Sequence, residues 1–238
     1  MEQININGIK IDVIRKNIKN INLAVYPLTG RVRVSVPTNL NEDAIRVFIL
    51  SKLAWIKRNQ KKFIEQERIA PREYKQGESH YFQGKQYLLK IIKIDKKPKV
   101  VLKNKEYIEL HIKPNTPIAE RHKLLTEWYR EQLKKQIPTI IYKWEKILNV
   151  KVSEFKIRQM KTRWGSCNIR KKRIWLNLEL AKKTERCLEY VIVHEMVHLL
   201  ERFHNKRFYH YMDTFLPNWK QLKNELNKVP ISCLEYKY

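Results

Sequence analysis

Between Tyr190 and Leu200 the chain reads YVIVHEMVHLL, an apolar run that holds two histidines and a glutamate. No other stretch limits the fold as strongly. Val191, Ile192, Val193, Met196, Val197, Leu199 and Leu200 leave a helix here no polar side, so it must be largely buried. Burying His194, Glu195 and His198 without a shared task is costly. Thr184 is placed to cap this helix, which is expected to run to about Arg202. At i and i+4, His194 and His198 lie one above the other on one face, where two imidazoles can grip one metal ion. Glu195 is rotated by about 100° from His194 and can reach a water on that metal without ligating it.

A catalytic zinc site usually has three protein ligands and one open position. His204 lies ten residues after His194, just past the expected helix end, and a chain turning there brings its imidazole back toward the pair. Glu201, His210 and Asp213 are the other candidates. Glu201 is still on the helix and offset from the ligand face, whereas His210 and Asp213 approach from the next helix. Imidazole ligands favour zinc, and the pattern alone leaves manganese, cobalt and nickel open.

The first part of the chain alternates with period two. Ile4 and Ile6, Asn7-Gly8, then Ile9, Ile11 and Val13 read as a tight hairpin. Ile21–Val25 and Val32–Val36 form a second pair around a Pro27–Gly30 turn. A helix over about 42–66 follows, capped by Asn41. Tyr81–Phe82, Tyr87–Ile94, Val100–Leu102 and Tyr107–Ile112 give another sheet section, and no internal repeat stands out. Pro114–Pro117 is the best boundary, separating a β-rich N-terminal region with one long helix (1–115) from a second domain (116–238). There, two helices are expected over 118–135 and 138–148, then a strand near Phe155–Met160 and the loop RWGSC (Arg163–Cys167). A return strand through Ile174, Leu176, Leu178 and Leu180 leads to the histidine helix, with short helices over 206–214 and 218–227. The whole is an α+β fold.

Lys and Arg exceed Asp and Glu by 26, a balance that can mark a nucleic-acid or anionic-surface partner. The excess is evenly spread, +13 over residues 1–115 and +13 over 116–238, so no dedicated binding arm is indicated. Solvated lysine-rich surfaces explain it as well. A local group at Arg158, Lys161, Arg163 and Arg170–Arg173 keeps open a nucleic-acid-associated module with a structural metal, or a protease acting on DNA-bound proteins. Cys167, Cys187 and Cys233 form no CxxC pair, and Cys167 and Cys187 read as small buried hydrophobes rather than ligands. No run approaches a membrane span and the N-terminus carries no apolar leader, so a soluble, cytoplasmic protein is expected.

RWGSC at 163–167, Asn177 in IWLNLEL, the HExxH at 194–198, the aromatic-rich HNKRFYHYM and LPNW at 216–219 together resemble the YgjP-like metallopeptidases, relatives of the SprT and WLM groups. The resemblance extends to the N-terminal half, with its NG turn and the Trp55-Ile56 pair. It implies a zincin-like domain, an active-site helix packed on a small antiparallel sheet. It also implies Zn2+ bound by His194, His198 and His204, Glu195 as general base, and a peptide or protein substrate. Metzincins have the same ten-residue span but a Gly where this chain has Glu201. Arg163, Trp164, Gly165 and Tyr209 are the candidate substrate or transition-state contacts. In this reading an extended substrate pairs along the RWGSC edge, and Gly165 allows close backbone approach.

Overall fold

The computed structural model describes residues 2–26, 29–65, 72–160 and 162–228. The chain forms two compact units, the first spanning Met1–Ala70 with Ser232–Tyr238 and the second Pro71–Ile231. The expected division near Pro114–Pro117 therefore falls inside the second unit.

In the first unit, β1 (Glu2–Ile6) and β2 (Ile9–Lys16) form the expected hairpin, followed by β3 (Asn22–Val25) and β4 (Val32–Pro37). Asn7 and Gly8 both take positive φ, 50° and 78°, the pair of left-handed residues that a two-residue hairpin turn needs. Pro27 and Leu28 of the next turn lie outside the described residues. One helix was expected after β4, and two occur, α1 (Glu42–Ser51) and α2 (Leu53–Glu65). The Ser51 hydroxyl donates to Phe48 O and Lys52 N–H to Ile49 O, tightening the chain at the break. Asn41 caps α1 by accepting from Ala44 N–H. Ile45, Ile49 and Ile56 join Ile11, Val13, Val32, Val34 and Val36 in one core.

The second unit opens with four strands of the same arrangement, β5 (Ser79–Phe82), β6 (Lys85–Lys93), β7 (Lys99–Lys103) and β8 (Tyr107–Ile112). The two sheets are ordered β1-β2-β4-β3 and β5-β6-β8-β7. In each, the first pair is antiparallel, the fourth strand runs parallel to the second, and the third closes antiparallel on the fourth. The chain thus does contain a repeat, one of topology. Its clearest mark in the sequence is a two-residue turn ending in Gly, Asn7-Gly8 and Gln83-Gly84.

Helix α3 (Ile118–Leu148) is continuous through Pro138, where two helices were expected. An internal proline costs about 3 kcal/mol. Here Leu125, Tyr129, Leu133, Ile137, Ile140, Ile141, Trp144 and Leu148 are buried on both sides of it, and that burial outweighs the break. One flank of α3 packs on β7 and β8. The other meets β9 (Glu154–Arg158) and α4 (Glu185–Val197), so a single core runs from Tyr74 to Leu226. That shared core is the reason no boundary falls at 115.

β10 (Gly165–Asn168) and β11 (Arg173–Asn177) complete a three-stranded sheet ordered β10-β11-β9. It is mixed rather than antiparallel. β9 and β10 lie on opposite sides of β11, and the hairpin that reverses β10 leaves β11 parallel to β9. Leu178 and Leu180, expected to prolong the strand, lie in a 3-10 turn (Leu178–Lys182) begun by Asn177, whose side chain accepts from Glu179 N–H. The short helices α5 (Lys206–Phe215) and α6 (Trp219–Asn227) follow as expected.

Candidate metal and active site

Helix α4 starts firmly. Thr184 accepts from Cys187 N–H as N-cap and donates its own hydroxyl to Glu225 Oε1 of α6, 2.8 Å away. From the other side the β5–β6 turn plugs in beneath it, with Gln83 N–H donating to Ala181 O and Gly84 N–H to Lys182 O. A Cβ on Gly84 would lie 2.4 Å from Thr184 Cγ2, so this contact excludes any side chain. The helix ends earlier than expected. His198 is its C-cap, and Leu199, Leu200 and Glu201 turn back through hydrogen bonds to Met196 O and Val197 O. No residue from 198 to 205 has positive φ, so the turn that carries His204 needs no glycine.

That turn brings the three imidazoles together. One ring nitrogen each from His194, His198 and His204 lies within 4.8 Å of the others, and His204 Nε2 stands 3.0 Å from His194 Nε2. Two nitrogens aimed at each other suit a shared cation, since ligands about 2.0–2.1 Å from one tetrahedral ion lie a little over 3 Å apart. His198 Nδ1 is 3.1 Å from Glu201 O, a backbone contact that fixes the proton there and frees the other nitrogen for a metal. Burial, then neighbouring His198 and His204, hold the His194 imidazole down to about 3. Burial also lowers His198, and in both rings the shift favours the neutral imidazole that a metal ligand needs. Phe208 of α5, 1 % exposed, forms an apolar floor under all three, its ring centroid 4.9, 4.8 and 4.6 Å from those of His194, His198 and His204. The other third-ligand candidates are engaged elsewhere. Glu201 accepts from Phe203 N–H, Asp213 accepts from Trp219 Nε1–H, and the His210 ring neighbours Tyr211.

Glu195 is 6 % exposed, and burial pushes its carboxyl up to about 8 against the opposing pull of Arg163. Its carboxyl packs directly on the backbone of Gly165, where a Cβ would sit 2.6 Å from Oε1 and 2.9 Å from Cδ. The glycine of RWGSC thus makes room for Glu195. Asn177, fully buried, pins the same loop from below. Its Nδ2 donates to Met160 O and Arg163 O, each at 2.8 Å. Its own N–H donates to Trp164 O at 2.9 Å.

This last bond fixes the polarity of β10. Trp164 and Asn177 are a hydrogen-bonded pair, so by alternation Ser166 and Trp175 are the next. The N–H and C=O groups of Gly165 and Cys167 then point away from β11, along the open edge of the sheet. That edge borders a cleft of about 810 Å³. Arg163, Trp164, Gly165, His194, Glu195, His198 and His204 all line it. Tyr209 does not, because its ring is wedged between His204 and Trp219, stacked on the latter at 5.6 Å. Of the local basic group, Arg158 and Arg173 flank the Trp175 ring instead, and Lys161 lies outside the described residues.

Three contributors are absent from the sequence reading. Tyr190, one turn before His194, meets its ring edge-on at 5.9 Å and lines the cleft. Its i−4 spacing was a usable signal. Phe208 lies four residues after His204, in the helix that follows it. The opposite wall, Lys223, Leu226 and Asn227 of α6, had no signal, because its approach depends on tertiary packing. Asn227 Oδ1 accepts from Trp164 Nε1–H across the cleft. Cys187 is buried as expected. The Cys167 thiol lines the cleft, and burial and Glu195 push it up to about 12.

Two helical imidazoles, a third from the following loop and a buried glutamate beside them define a metallopeptidase class of site. Residues 19–229 match the family described as YgjP-like, metallopeptidase domain, and the chain belongs to that family. It is therefore a metallopeptidase whose substrates are peptides or proteins. Among solved structures it is similar to the metallopeptidase zymogen of Pyrococcus abyssi abylysin, at 18 % identity and a TM-score of 0.36 over 39 % of this chain and 94 % of that one. A search of curated proteins gave no match. Among the described residues no helix is long and apolar enough to cross a membrane.

Proposed function

We propose that the protein hydrolyses peptide bonds with Zn2+ held by His194, His198 and His204 and with Glu195 as general base. One observation carries this reading. The three ring nitrogens converge within 4.8 Å, and the buried Glu195 carboxyl lines the same cleft. Zinc, when bound, supplies Lewis acidity toward water and toward the scissile carbonyl. The protein supplies the rest. Glu195 takes one proton from the attacking water and delivers it to the leaving amine as the C–N bond breaks. The outward N–H and C=O groups of Gly165 and Cys167 pair with an extended substrate and hold its carbonyl toward Glu195. Arg163, whose charge is felt at Glu195, is the candidate to stabilise negative charge developing on that carbonyl.

The test is cleavage of a fluorogenic peptide pool by zinc-reconstituted protein. Glu195→Gln is expected to bind zinc at unchanged stoichiometry while losing about 10²–10⁴-fold in rate. Full proteolysis by that variant under metal-replete conditions would sink the assignment.

A further inference from the structure

The cleft is unevenly charged. Arg163, Arg170, Arg202 and Lys223 line it, and the only carboxylate among its lining residues is Glu195. All four cations are exposed, and no ion pair joins any of them to a carboxylate among the described residues. Elsewhere the basic side chains are often spoken for, Arg173 with Glu154 and Lys143 with Glu189 for example. The cations also occupy distinct positions. Arg163 precedes β10 and Arg170 follows it, Arg202 sits in the turn that carries His204, and Lys223 projects from α6 on the facing wall. A strand laid along β10 advances about 3.3 Å per residue. Glu195 packs on Gly165, so Arg163 lies two residues to one side of that contact and Arg170, in the turn after β10, five residues to the other.

Resting on the peptidase reading, we propose that the cleft selects acidic peptide segments, with Asp or Glu at positions flanking the scissile bond read by Arg163, Arg170, Arg202 and Lys223. The four charges surround a site whose own carboxylate is committed to proton transfer, and a bound divalent cation adds to the same sign. A basic segment meets uncompensated repulsion there, and an acidic one replaces solvent around each exposed cation. The outward backbone groups of β10 favour a polypeptide over nucleic acid, since they supply the alternating donors and acceptors of a strand.

The experiment uses the zinc-loaded full chain and matched peptides identical except for two flanking positions, Glu, Ala or Lys. At low salt the Glu peptide is expected to exceed the Lys peptide in kcat/KM by about 10-fold or more, the ratio falling toward unity near 0.5 M salt as screening shortens to a few ångströms. The double variant Arg170→Gln/Lys223→Gln should lower the ratio several-fold. Equal kcat/KM for the Glu and Lys peptides at low salt would overturn the proposal while leaving the peptidase reading intact. Should no peptide be cut, the peptidase reading fails separately. Fluorescence anisotropy of the same labelled peptides on zinc-loaded Glu195→Gln then still decides selectivity, with tighter Glu binding supporting it and equal binding refuting it. Displacement of the Glu peptide by a single-stranded oligonucleotide at lower concentration than by unlabelled peptide would also overturn it, in favour of a nucleic-acid ligand.

Discussion

Replacing Gly165 by alanine isolates the contact between the RWGSC strand and the glutamate. Gly165 takes no positive φ, so the backbone accepts alanine and only the added methyl matters. That methyl would stand 2.6 Å from Glu195 Oε1, 2.8 Å from Cγ and 2.9 Å from Cδ. Ordinary contact begins near 3.4 Å, so the carboxyl or the strand must retreat by about 1 Å, a misplacement that can cost about 10²-fold in rate. Overpacking a close-packed site adds about 1–3 kcal/mol of destabilisation. The histidines lie away from the clash, so zinc stoichiometry should not change. Gly165→Ala is therefore expected to lose about 10²-fold in kcat/KM on a fluorogenic peptide, to keep its zinc and to unfold at modestly lower urea. Wild-type kcat/KM in this variant would refute the idea that Gly165 seats Glu195. Loss of zinc with the fold intact would place the effect on the ligands instead.

Asn177→Leu removes the donor that serves Met160 O and Arg163 O and the acceptor that serves Glu179 N–H, bonds worth about 1 kcal/mol each. Urea titration should show a loss of at least about 2 kcal/mol, and an unchanged midpoint would contradict the pinning role. His204→Ala should fold like the wild type but bind zinc far more weakly. The stabilisation of about 2.7 kcal/mol that zinc gives at a hundred times its Kd would then vanish from thermal melts. Phe208→Ala removes the floor beneath the three imidazoles and should weaken zinc binding about tenfold, and an unaltered Kd would argue against that role. His80 provides a pH test outside the site. Burial and Arg72 hold its imidazole down to about 4, against the opposing pull of Glu78 at 2.9 Å. A folded-state value below the unfolded one gives stability that is present above about pH 6.5 and lost as pH falls from there toward 4. In metal-free protein, His80→Gln should flatten the fall in stability over that window relative to wild type, and superimposable pH profiles would rule the titration out.

The parts of this fold governed by short-range pattern were legible. The hairpin at Asn7-Gly8, the cap at Thr184 and the imidazole pair on α4 follow from periodicities of two and 3.6. Misreadings arose where tertiary burial overrode a local rule. Pro138 suggested two helices, yet the apolar residues on either side of it belong to one buried face. Leu199 and Leu200 suggested that α4 continued, yet the chain turns at His198 so that the Glu201 carbonyl meets Nδ1. α3 packs on both sheets of its unit, a relation with no local signature, and the expected division at 115 lies inside that unit. Within the site, RWGSC could be recognised as a motif, but the reason for its glycine lies thirty residues away at Glu195, and no spacing placed α6, itself expected as a helix, across the cleft.

The unpaired flank of β10 has a further consequence, for the company the molecule keeps. A short strand with free N–H and C=O groups is a template for any passing strand, including one from a second copy. Arg163 and Arg170 bracket it, so two copies meeting edge to edge would crowd four guanidinium groups around one small ribbon, on chains that each carry a net charge of +26. Such repulsion is felt over about 8 Å at physiological ionic strength and little beyond 3 Å in molar salt. Charge at Arg163 and Arg170 thus guards this open edge, a defence that weakens as the ionic strength rises.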